Sequence, residues 1–205
     1  MSFDSYLIYP GVTLGESALI DPFVIIGYPL ADGSELPTMI GANAHIRSHS
    51  VIYTGNRIGI NFQTGHGVLV RESNQIGDKV SIGSHTVIEH HVIIKSGVRI
   101  HSQAFIPEFT ILEEYCWVGP GVSLTNARYP RSSNVKGSLH GPTIGSRAKI
   151  GAGAVILPGV HVGRNSLIGA GAVVVGDVPE NSVVVGNPAH VIKMIDQISD
   201  YMSQE

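Results

Sequence analysis

The chain has 205 residues, with 13 Lys and Arg against 16 Asp and Glu for a formal charge of −3, which excludes the cationic footprint of a nucleic-acid or anionic-membrane binder. One cysteine, Cys116, excludes an intrachain disulfide framework and fits a reducing compartment. No stretch approaches the roughly 18 apolar residues of a spanning helix, and Met1–Pro10 lacks signal-peptide character, so a soluble cytoplasmic protein is expected.

From the N-terminus, Ile8, Leu14, Ile20 and Ile26 recur at a spacing of six, and a break follows at Tyr28–Met39. From Ile40 to Leu124 every sixth residue is aliphatic (Ile46, Ile52, Ile58 and onward), with Thr64 the single departure. A second break, Thr125–Thr143, precedes Ile144, Ile150, Ile156, Val162, Ile168 and Val174. The residue after the aliphatic one is often glycine, as at Gly41, Gly59, Gly65, Gly77, Gly83 and Gly119. The position two before it is mostly small or β-branched. Such a period suits a short strand plus a sharp corner. Glycine supplies corners where φ is positive or backbones crowd, and alternate inward side chains build the core. Helical spacings of three and four are absent until Val191, Ile192, Met194, Ile195 and Ile198, where a short amphipathic helix is predicted to cap the open end. The expected organisation is a domain over residues 1–189 with loops at 28–39 and 125–143, then a capping helix and tail over 190–205.

The repeated [LIV]-[GAED]-x-x-[STAV]-x pattern over residues 8–189 resembles the hexapeptide-repeat acyltransferases. That resemblance implies an all-β fold, a left-handed parallel β-helix shaped as a three-faced prism with 18 residues per coil. The handedness comes from the family, since the general crossover rule favours the other hand. Sorted in this way, the outward residues of one face are Leu7, Ile25, Val51, Leu69, Val87, Phe105, Ser123, Val155 and Val173, apolar at every level but one. The other two faces are mixed. An apolar strip of that length predicts a subunit interface, and the resemblance implies a homotrimer with active sites between subunits.

Both breaks fall at one edge of the apolar face. The same corner carries Arg71-Glu72-Ser73, Glu89-His90-His91, Pro107-Glu108-Phe109 and Asn126 in successive coils. Glu72, His90 and Glu108 are expected to stack about 4.8 Å apart, a carboxylate on either side of a histidine, which suits a general base. The segment Ile88–Ile94 resembles the histidine segment of sugar-modifying hexapeptide acyltransferases, which implies His90 as the catalytic residue, with Glu72 beside it. The opposite edge carries Arg47-Ser48-His49, Gly65-His66-Gly67, Ser84-His85 and His101-Ser102-Gln103. Trimer packing would bring His66 and His101 across a cleft from His90.

Phe62–Glu72, the His90 segment and Thr125–Arg131 resemble the N-acyltransferases of nucleotide-linked amino sugars that decorate surface polysaccharides. The activity this implies is transfer of an acyl group from acyl-CoA, acetyl or hydroxyacyl, to the amine of a dTDP- or UDP-linked sugar. Substrate would meet His66, Arg71, Glu89, Glu108, Asn126, Arg128 and His101, with Arg71 and Arg128 suited to a diphosphate. Coenzyme A would lie along Ala152 and Ala170, flanked by glycines, towards Pro188 and Lys193. The family often has Arg or Lys after Asn-Pro-Ala, where this chain has His190. An O-acetyltransferase of the same fold is the alternative. A γ-carbonic-anhydrase-like zinc enzyme is the other: His49, His85 and His90 have that family's ligand spacing, but His85 and His90 sit one residue late in their hexads. No metal is expected.

Overall fold

The computed structural model describes residues 5–34 and 36–201. Nearly all strands are two or three residues long and stack in parallel, each paired with the strand one coil on, as Leu69 with Val87 and Gln75 with Ile93. They form three sheets of nine, eight and ten strands, here faces 1, 2 and 3 in the order the chain visits them. Together they make a left-handed parallel β-helix. Among the described residues no helix is long and apolar enough to cross a membrane.

The aliphatic residues of the repeat point inward and are buried from Ile40 to Val174, with Ile46, Ile52, Val70, Ile88 and Ile106 wholly so. Thr64 is buried too, and its hydroxyl accepts the Arg47 N–H at 2.9 Å while the Arg47 guanidinium donates to the Thr64 carbonyl. The departure from aliphatic character thus replaces a strand bond with a side-chain bond. The outward residues of face 1 run in register as expected, Val51 to Leu69 to Val87 to Phe105 to Ser123 to Val155 to Val173.

The corners separate the two demands that glycine can meet. Apart from Gly27, glycines directly after the inward residue are not the positive-φ residues; they sit where backbones crowd. A Cβ on Gly41 would lie 2.6 Å from the Gly59 carbonyl carbon. The left-handed conformation falls two residues later, and in many coils a non-glycine adopts it, among them His49, Asn61, Ser73, His85, His91 and Phe109.

The expected C-terminal helix is where the fold departs from the sequence expectation. Ser182–Gly186 adds to face 3, and Ala189–Met194 folds back on it as an antiparallel strand. Among the described residues two 3-10 turns follow, Ile195–Gln197 and Ser199–Tyr201. The apolar spacing of the tail is compatible with a helix, but an open sheet edge nearby offers unpaired carbonyls and N–H groups, and pairing with it prevails. Residues 202–205 of the expected tail lie outside the described residues.

Candidate active site

Glycine is absent after the inward residue along the middle of one corner only. Between faces 1 and 2 that position holds Tyr53, Arg71, Glu89, Pro107 and Thr125 in successive coils, whereas the other two corners use glycine at most levels. Long side chains therefore take the place of the glycine row on the 1–2 corner. The corner is braced from inside by buried Asn56 and Asn74. Asn56 donates from Nδ2 to the carbonyls of Tyr53 and Arg71 at 2.7 and 2.8 Å and accepts the Asn74 N–H at 3.0 Å. Asn74 accepts the Val92 N–H at 2.7 Å, and the Thr110 hydroxyl donates to the Pro107 carbonyl at 2.8 Å. These residues were not singled out from sequence. Their signal is two buried-position asparagines where the repeat otherwise places small or β-branched residues.

On this frame His90 Nε2 lies 3.1 Å from Glu108 Oε1, and Asn126 Nδ2 donates to the other Glu108 oxygen. His90 Nδ1 lies 2.8 Å from His91 Nδ1, so one ring donates and the other accepts. Phe109 closes the side of the pair, its ring 6.2 Å from His90 and 6.0 Å from His91. Glu72 does not flank His90 as a hydrogen-bond partner. Both its oxygens accept from the Arg71 guanidinium, at 2.9 and 3.0 Å. Arg71 also lies 3.5 Å from Glu89 and over the Tyr53 ring at 5.1 Å. Burial opposes ionisation of Glu72, but the Arg71 hydrogen bond and the charges of Arg71 and His90 outweigh it and hold the carboxyl below its ordinary value. Three carboxylates, Glu72, Glu89 and Glu108, thus share the corner with one guanidinium, a field that favours a cationic ligand group.

The two loops leave this corner at either end of the His90 column, from Ile25–Tyr28 to Thr38–Ile40 and from Ser123–Leu124 to Thr143–Ile144. The first loop is tied down by Leu36, whose N–H donates to Thr54 Oγ1 at 2.6 Å. Arg128 is exposed on the second.

His66 and His101 lie at the 3–1 corner, on the opposite edge of face 1 from His90. His66 Nδ1 is 2.8 Å from Ser48 Oγ. His101 packs on Trp117, ring centroids 4.7 Å apart, and burial, then the nearby Arg99, lowers its pKa. Within one chain these residues do not meet His90. Nor do His49 and His85, which share that edge with His66. Further along it, Ala152 and Ala170 are exposed, and a Cβ on Gly153 or Gly171 would meet nothing within 4 Å. This is an open shelf of bare backbone, which fits a long chain bearing amide groups. Pro188 and Lys193 are exposed on the adjoining hairpin.

Stacked hexads in three parallel sheets define the class as a left-handed parallel β-helix. More particularly, residues 75–108 and 141–176 match the family described as "Bacterial transferase hexapeptide (six repeats)". It is 38% identical over 151 residues to the 2,3,4,5-tetrahydropyridine-2,6-dicarboxylate N-acetyltransferase of Alkaliphilus metalliredigens, covering 74% of this chain and 61% of that protein. The chain spans less than two thirds of the length of the curated relatives it matches. Among solved structures, LpxA from Acinetobacter baumannii superposes with a TM-score of 0.55 at 19% identity, over 98% of this chain and 77% of that one. LpxA from Bacteroides fragilis, a UDP-N-acetylglucosamine acyltransferase, gives 0.54 at 17%, over 100% and 79%. Both likenesses concern the fold.

Proposed function

We propose that the chain is an acyl-CoA-dependent N-acyltransferase whose acceptor is the amine of a nucleotide-linked sugar, dTDP- or UDP-bound, destined for surface polysaccharide. The observation that carries this reading is the His90–Glu108 pair, in phase with the repeat, on a corner with an excess of carboxylates. Likeness to an N-acetyltransferase over three quarters of the chain supports it.

Coenzyme A, bound on the Ala152–Ala170 shelf towards Pro188 and Lys193, supplies an activated acyl thioester. The acceptor enters at the 1–2 corner, where Glu89 and Glu108 attract its ammonium form. With Nε2 held by ionised Glu108, the remaining lone pair of His90 is on Nδ1, and exposed His91 turns aside to let the amine reach it. The ammonium first gives one proton to water. The free amine then attacks the thioester carbonyl, and His90 takes a second N–H proton as the C–N bond forms. Glu108, fixed by Asn126, stabilises the imidazolium until the C–S bond breaks and the proton passes to the departing coenzyme A thiolate. Glu72 acts by holding Arg71 in place. Arg128 is the cation free to meet a diphosphate, because Arg71 is committed to carboxylates. His66 and His101 reach the acceptor from a neighbouring subunit of a trimer.

The test is thiol release from acetyl-CoA and 3-hydroxybutyryl-CoA with dTDP- and UDP-linked amino sugars. Cys116 is buried, and burial raises its thiol pKa, so the protein adds no background in the folded state. Amine-dependent release is expected, with His90→Asn lowering kcat by about 10²–10⁴ and His91→Ala leaving it within about threefold of wild type, since only His90 is asked to accept the proton. Undiminished transfer by His90→Asn would remove its role. Release with hydroxyl acceptors alone would move the reading to O-acetylation.

A further inference from the structure

A second concave site lies away from the 1–2 corner, between face 3 and the folded-back tail. It is a groove of about 1230 Å³ lined on one side by Tyr115, Trp117, Arg147 and Lys149 and on the other by residues of the Met194–Asp196 turn and Tyr201. Its position follows from the repeat. Tyr115, Arg147, Asn165 and Asn181 occupy the left-handed position of the 2–3 corner in successive coils, and Trp117 and Lys149 are paired neighbours on face 3.

The charges in this groove are unusual for a surface. Arg147 and Lys149 stand two residues apart with no carboxylate within ion-pair distance among the described residues. Lys149 Nζ instead donates to the Arg147 carbonyl and to Asn165 Oδ1, both at 3.2 Å, and lies over the Tyr201 ring at 4.7 Å. Asn165 is in turn oriented by Asn181, with Nδ2 donating at 3.0 Å. Burial, then the neighbouring Arg147 charge, lowers the Lys149 pKa. The positive charge there is held at a cost that an anion would relieve. Arg164 lines the groove as a third cation, with Asp196 on the tail side, whereas Glu114 and Glu180, in the same corner column as Arg164, do not line it. Beside the two cations Trp117 presents a large planar wall, fixed from the neighbouring corner by His101.

We infer that this groove binds an organic phosphate carrying a planar ring, of the nucleoside diphosphate class, with the phosphates between Arg147 and Lys149 and the ring against Trp117. Guanidinium and ammonium donors at one end match phosphate oxygens. An indole at the other end matches a base, whose stacking adds affinity without demanding one particular base. The site is independent of the proposed acyl transfer, because it lies on the far edge of face 3 from the Ala152–Ala170 shelf.

Trp117 is the chain's one tryptophan, so its fluorescence reports occupancy directly. Wild-type protein, Arg147→Gln, Lys149→Met and Ala170→Leu are titrated with ADP, with inorganic pyrophosphate and with adenosine. ADP is expected to give a saturable change in wild type and in Ala170→Leu, and to bind at least tenfold more weakly to Arg147→Gln. Arg147 is exposed, so that variant keeps the fold, and Lys149→Met is expected to reproduce the loss. Pyrophosphate alone and adenosine alone are each expected to bind at least tenfold more weakly than ADP. Equal ADP affinity in Arg147→Gln overturns the inference. So does a response lost in Ala170→Leu but kept in Arg147→Gln, which assigns the signal to the shelf.

Discussion

At the scale of single residues, the 1–2 corner is organised by what each charge is already committed to. Glu72 is tied to Arg71 through two hydrogen bonds, and its carboxyl is held below the ordinary glutamate value despite burial. A group whose pKa is depressed on folding contributes stability above its unfolded value and loses that contribution as the pH falls through the folded one. Glu72→Gln is therefore expected to destabilise the protein by about 1 kcal/mol at pH 7. The gap from wild type should close as the pH is taken below the normal carboxylate range near 4.5. Urea unfolding at pH 7 and pH 3.5 checks this. An unchanged gap at the lower pH would show that the loss comes from packing and not from the charge of Glu72. The sequence placed Glu72, His90 and Glu108 in one column, but it did not reveal that Arg71 captures Glu72. Stacking order is set by the repeat, whereas the direction of a long side chain is chosen among neighbours that periodicity does not rank.

At the scale of the elements, the repeat was legible because inward aliphatic residues at a spacing of six admit few other folds, and the three sheets follow its register throughout. The glycines were harder to read, since one residue type answers two demands. Gly41 has to be small because the next coil's backbone is in the way, and Gly121, at φ 66° with nothing within 4 Å of a would-be Cβ, supplies a left-handed corner. The two should respond differently to alanine. Gly121→Ala meets only the backbone penalty, about 1–2 kcal/mol. Gly41→Ala must push the coils apart, and overpacking of that kind costs about 1–3 kcal/mol, occasionally more. Lys95 and Glu113 stand at equivalent positions on the same corner, so it can open, which bounds the cost. Thermal melts are expected to rank Gly41→Ala below Gly121→Ala, by about 2–4 °C for each kcal/mol between them in a chain of this size. Equal losses would mean that the coils relax freely. The tail was misread for a different reason: spacing describes what a segment can do alone, and the open edge of Ser182–Gly186 supplied a partner that spacing cannot see.

At the scale of the whole molecule, the proposed chemistry needs more than one chain. His66 and His90 stand on opposite edges of face 1, and the strip between them carries Leu69, Val87 and Phe105 outward, with Phe105 39% exposed. A second copy packed on that strip would cover apolar surface and bring one chain's His66 edge towards the other's His90 edge. Both loops leave the His90 edge, where they would reach the neighbour. Placing a charge in the middle of the strip separates these consequences from the fold. Leu69 and Val87 are adjacent outward residues of face 1 and point away from the core, so Leu69→Asp with Val87→Asp is expected to leave the β-helix folded but prevent association, because a buried unpaired carboxylate is costly. If the wild type is the proposed trimer, sedimentation velocity should then give one third of its mass, with the far-ultraviolet spectrum unchanged. Acyl transfer should fall by at least about 10²-fold, as expected when a catalytic cleft loses the groups that position its substrate. A folded monomer with full activity would confine the site to one chain and remove His66 and His101 from it. A variant that stays trimeric would move the interface to another face, and the polar corners flanking face 1 would need a different explanation.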